Sequence, residues 1–229
     1  MPCTGLLEAG FREILPRALT GGTSMRLRVV ARSGNWGPVL AATAAATFVI
    51  VVSLIFADTA QEGWRRATRD TARLGLIVLL IAYTASCLNQ LVAGRLMHAL
   101  MRRRRSIGLS FAAIMAIHVF CIFALAAVSR DRHVIHVLDT GGLAYVFIAV
   151  MALTSSDYSM RLLGVWWRRL HFVAIHVVLI KFLQLVYQKA TAGSLVSLIL
   201  LMMIGSSIAV RIAAVLMSGS RSAAPALEK

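Results

Sequence analysis

Six apolar stretches of roughly 20 residues, the length that crosses a bilayer, alternate along this chain with short arginine-bearing connectors. No other feature constrains the fold so strongly. In hydrocarbon every backbone N–H and C=O must be satisfied within the protein, so spans of this length and kind form helices. The expected fold class is all-α: a polytopic membrane protein built as a six-transmembrane-helix bundle. The spans are expected at about 38–57, 74–93, 107–128, 141–156, 171–188 and 194–216, the fourth being short.

Composition agrees. Of 229 residues, 59% are hydrophobic and 14% charged, and the mean hydropathy is +0.79, which excludes an ordinary soluble domain. The net charge of +15 does not indicate nucleic acid, because the basic residues sit in connectors, where a topology signal belongs. One set of connectors holds Arg12, Arg17, Arg26, Arg28 and Arg32, then Arg95 and Arg102 to Arg105, then Arg161, Arg168 and Arg169. The opposite set holds Arg65, Arg66, Arg69 and Arg73, then Arg130 and Arg132, then Lys189. The first set is richer, so both termini are expected to be cytoplasmic.

Residues 1–36 read as a cytoplasmic N-terminal segment. Glu8, Glu13 and several arginines argue against a cleavable signal peptide. Leu6, Leu7, Phe11, Ile14 and Leu15 give Leu6 to Leu19 the pattern of a short amphipathic helix, against which Pro16 counts. Residues 37–216 form the single membrane domain, and 217–229 read as a disordered tail. The three cysteines form no CxxC or CxxCH, which excludes a zinc ribbon and a covalently attached haem. Cys87 and Cys121 read as small buried apolar residues.

Histidines inside spans need a reason, because an ionisable ring in hydrocarbon is costly. His118 lies in the third span, eleven residues past Ile107 and so ~16 Å deep. His171 stands at the inner boundary of the fifth span, and His176 lies ~8 Å further along it. Neutral imidazole is a common ligand of haem iron, which makes these three histidines candidate iron ligands. No histidine of the fifth span matches the depth of His118. Lys181 does, ~15 Å into that span, and shares a face with Gln184 at i, i+3. A mid-bilayer lysine costs ~2.5 kcal/mol or more unless paired or neutralised. Lys181 therefore meets an anion such as a haem propionate, a quinone or a lipid headgroup, or ligates iron as the neutral amine, or snorkels. His98 falls in an arginine-rich connector and reads as solvated. His133 and His136 form an HxxH on the external side, a weak metal signal without a third ligand.

Two blocks carry a family likeness. The first runs Arg102-Arg103-Arg104-Arg105-Ser106-Ile107-Gly108-Leu109 and on to Ala116-Ile117-His118. The second is Ala152-Leu153-Thr154-Ser155-Ser156, then Arg161-Leu162-Leu163-Gly164, then Trp167-Arg168-Arg169-Leu170-His171. Together they resemble the ferric reductase-like transmembrane domain, and most nearly the haem-binding membrane subunit of the bacterial periplasmic methionine sulfoxide reductase system. The likeness covers about residues 74–190.

The resemblance implies a b-type haem, one or two, held between the third and fifth helices of a protein of the bacterial inner membrane. It implies electron transfer from a cytoplasmic flavin, reductase or quinol to an external acceptor. By motif position His118 and His171 carry over as iron ligands. The family places a second histidine thirteen residues after His171, where this chain has Gln184, a poor iron ligand. Arg104 and Arg105 are expected to neutralise propionates or the phosphate of an FMN. No nucleotide-binding or catalytic segment is evident, so the expected partners are membrane lipid and a redox partner protein. The alternative is a haem-free relative that serves as a structural or assembly subunit, or as a small-molecule transporter.

Overall fold

The computed structural model describes residues 36–91, 94–129 and 133–223, and all regular structure in them is helical. The elements are α1 (Gly37–Ile55), α2 (Ala60–Leu91), α3 (Arg95–Ser129), α4 (His133–Leu153), α5 (Asp157–Leu163), α6 (Val165–Thr191) and α7 (Leu195–Ala223). The N-terminal amphipathic helix expected over Leu6 to Leu19 and the last six residues of the tail lie outside the described residues. So do the side chains of His133 and His136, although the backbone of α4 begins at His133.

Among the described residues four helices are long and apolar enough to cross a membrane, by length and composition: α1, most of α3, α6 and α7 up to Met217. A fifth is obtained if the sharply bent pair α4–α5 counts as one span. Large apolar side chains such as Phe48, Phe120, Phe123, Ile199 and Met202 stand exposed on the outside. This is the pattern of a multi-pass membrane protein, whose outer surface faces lipid.

Several helices outrun their apolar cores. α2 begins fourteen residues before the expected start at Leu74, so Arg65, Arg66, Arg69 and Arg73 are helical and not in a loop. α3 begins at Arg95, which puts His98 and Arg102 to Arg105 on a helix as well. α6 begins at Val165, so His171 lies nearly two turns inside it. Hydropathy marks where a span is apolar. The helical hydrogen-bond ladder continues past that point because arginine is a good helix former.

Residues 35–211 cluster as one compact unit, and the site lies within it. α1, α2 and α3 pack closely on one another, α4 packs on α3 and α6, and α5 on α6. Small residues let backbones approach: Ala46 on α1, Ala67 on α2 and Ala174 on α6 are fully buried. Gly75 leaves room for the Met115 side chain of α3, since a Cβ there would lie 2.8 Å from the Met115 sulfur. α6 stands off from α2 and α3 and reaches them through large rings, as where Phe182 meets Phe111 at 6.4 Å between centroids. Leu200 and Ile204 join α7 to the same core.

The second motif block builds the bend between α4 and α6. α4 and α5 meet at 103°. Ser156 caps α5 by accepting from the Ser159 N–H at 3.0 Å. Gly164 ends α5 and starts α6 at φ +49°, ψ −118°. Trp167 ties the first turn of α6 back by donating from Nε1 to the Thr154 carbonyl at 2.8 Å. Arg105 from the first block reaches Asp157 of α5 at 2.6 Å, an exposed pair worth little energy but one that fixes direction. Gly164→Ala places a Cβ in a region that L-residues avoid. The variant should lose about 1–3 kcal/mol of stability, read as a lower midpoint of thermal unfolding in detergent.

Candidate functional site

Residues of α2, α3, α4, α6 and α7 line a cavity of about 830 Å³. Leu76, Met115, Ile148, Val178, Phe182 and Leu200 give it apolar walls. His118 of α3, Tyr145 of α4, and Lys181 and Gln184 of α6 add polar groups, and Arg65, Arg69, Arg73 and Lys189 gather at one end. Among the described residues no Asp or Glu lines it.

His118 is buried, and its Nδ1 lies 3.1 Å from the Thr71 hydroxyl of α2. That hydroxyl has a single hydrogen, which it donates to the Ala67 carbonyl at 2.7 Å. With that hydrogen on Ala67 the hydroxyl accepts from the ring, an arrangement that favours the tautomer protonated on Nδ1. The lone pair then belongs to Nε2, the form in which imidazole binds a metal. Tyr145 lies beside the ring at 6.2 Å between centroids.

His171 and His176 do not line this cavity. His171 donates from Nδ1 to the Trp167 carbonyl at 3.1 Å, and its ring lies 4.1 Å from the Trp167 ring. Its Nε2 is enclosed with no hydrogen-bond partner among the described residues. His176 donates from Nδ1 to the Phe172 carbonyl at 2.6 Å and packs between Phe172 and Tyr83. Among the cavity's lining residues His118 therefore has no second histidine beside it. Helix geometry gives the reason: Lys181, which does share the cavity, lies ~15 Å along α6 from His171, and the five residues from His176 turn the chain through ~140°.

Arg104 and Arg105 are also absent from the cavity wall. Arg105 is engaged by Asp157. The cavity's cations come instead from the expected external side. Arg65, Arg69 and Arg73 recur every four residues and form one face of α2. That spacing was visible in the sequence, but a loop assignment concealed it. Arg69 and Arg73 have acidic neighbours on the same helix, Glu62 at 3.9 Å and Asp70 at 2.8 Å. Arg66, beside Glu62, holds that exposed carboxyl below its usual range. Thr71 gave no sequence signal, since it pairs with a ring 47 residues away.

Among the described residues no three His, Cys, Asp or Glu side chains come together to hold a metal ion. No protein-family model matches the chain, and no curated protein matches it.

Replacing Thr71 by Val keeps the volume and removes the hydroxyl, leaving the Thr68 carbonyl as the remaining polar contact of the His118 ring. Stability should fall by about 1–3 kcal/mol. Thermal unfolding of Thr71→Val, His118→Ala and the double variant in detergent checks this, because the two losses should not add.

Proposed function

We propose that this chain is a b-type haem-binding membrane subunit that carries electrons across the bacterial inner membrane. It would take them from a cytoplasmic flavin, reductase or quinol and pass them to an external acceptor through a redox partner protein. The arrangement proposed is six spans with both termini cytoplasmic, counting the apolar half of α2 and the bent α4–α5 pair as one span each. The family proposed is the ferric reductase-like transmembrane domain, on the two motif blocks.

One observation carries this reading. His118, bonded through Nδ1 to the Thr71 hydroxyl, lines a largely apolar cavity of about 830 Å³. The residues present fit a haem. The volume falls in the range of cofactor pockets, ~300–1,000 Å³. The walls are apolar, one imidazole is oriented for ligation, and cations collect at one end. Thr71 acts through His118 by favouring one tautomer and rotation of the ring. The apolar walls exclude water from the ring. Bound haem would supply one-electron chemistry between ferric and ferrous iron. His171 is, by motif position, the candidate ligand of a second haem at the inner end; its Nε2 is enclosed, so its neighbours must move to admit an iron.

Full-length protein purified from haem-replete cells should show a Soret band and, on reduction, an α-band. His118→Ala should abolish both or, if a second haem is present, remove the larger part. His176→Ala should leave the spectrum unchanged, and a partial loss in His171→Ala would place the second haem. A colourless wild-type protein would falsify the proposal.

A further inference from the structure

Lys181 is the least explained charge in the cavity. It lies ~24 Å from the start of α6 and ~15 Å from its end, by the rise of an α-helix. It is partly buried and lines the cavity. Among the described residues no carboxylate lies within 4.0 Å of it; the ion pairs there are those of Arg66, Arg69, Arg73 and Arg105. Lys181, Gln184 and Gln188 recur at helical spacing and form a polar stripe along the second half of α6. The stripe faces the cavity, toward the end where Arg65 and Lys189 stand.

An ammonium ion in an apolar wall is tolerated when an anion meets it. Among the described residues none supplies such an anion in the cavity. A neutral molecule such as a quinone would leave the charge unmatched. A molecule with an apolar body and a carboxylate matches both the walls and the lysine.

We infer that Lys181 is the counter-charge of a carboxylate carried by the cavity's occupant, with its apolar body against Leu76, Ile148 and Phe182. Resting on the haem proposal, this assigns Lys181 to a haem propionate and turns the propionate edge toward the Arg65 and Lys189 end. Arg104 and Arg105 have no part in it. A fatty acid offers the same carboxylate chemistry from another source.

The test uses full-length protein from haem-deficient cells, titrated in detergent with haem and with haem dimethyl ester, which lacks the propionate charges. Binding is read from the Soret band. The wild type should bind the free acid about tenfold tighter than the diester, the scale of one charge-assisted hydrogen bond. Lys181→Met keeps the apolar stem and should lose that preference, with diester affinity unchanged. Lys181→Arg should retain it, which separates loss of charge from loss of fold. Equal weakening of both compounds in Lys181→Met would assign Lys181 to structure and overturn the inference. Equal affinity of the wild type for both would overturn it too, and leave the haem proposal standing. Wild-type protein that takes up neither compound overturns the haem proposal and the propionate assignment, and absence of palmitate binding as well overturns the inference itself. In that case, binding of radiolabelled palmitate that is lost in Lys181→Met would show a fatty acid to be the source of the carboxylate.

Discussion

A backbone in hydrocarbon has no water to bond to, and this bundle extends that constraint to its side chains. Most of its hydroxyls are satisfied by the helix that bears them. Thr47, Thr68, Thr84, Ser110, Thr154 and Ser207 each donate to a carbonyl four residues back. A hydroxyl used in this way leaves little polarity to spend between helices. The polar contacts that do cross therefore stand out. Four of them among the described residues are Thr71 to His118, Arg105 to Asp157, Trp167 to the Thr154 carbonyl, and Arg66 to the end of α1. Three of the four fix chain direction near helix ends. The fourth orients a ring in the interior.

Thr71 illustrates how a local bond gains a distant consequence. Its back-bond to Ala67 is an ordinary event in a membrane helix. Because the hydrogen is used there, the oxygen accepts from the ring, and one tautomer of a histidine on the next helix is favoured. Two weak and common interactions in series thus bias which nitrogen of His118 has a lone pair to offer.

The helical class, the apolar segments and the depth match of His118 with Lys181 and Gln184 were legible in the sequence, since each rests on periodicity or on rise per residue. Helix starts were not, because hydropathy falls at Arg73 and Arg105 while the backbone stays helical through both. The motif block from Ala152 to His171 was visible as a pattern. Its local meaning needed coordinates: Ser156 caps, Gly164 takes a positive φ, and Trp167 bonds back across the bend. The pairing of His118 with Thr71 was beyond any local rule. So was the separation of His171 and His176 from the cavity, which follows from the rotation of α6 about its axis.

The stand-off between α6 and the α2–α3 pair also bears on how this protein persists in a cell. Two helices that meet through a few large rings forgo the dispersion contacts of a continuous interface. A molecule seated between them supplies those contacts and adds its binding free energy to that of the folded chain. Stability then depends on ligand concentration, and the amount of intact bundle in the membrane follows the supply of whatever fits between its halves.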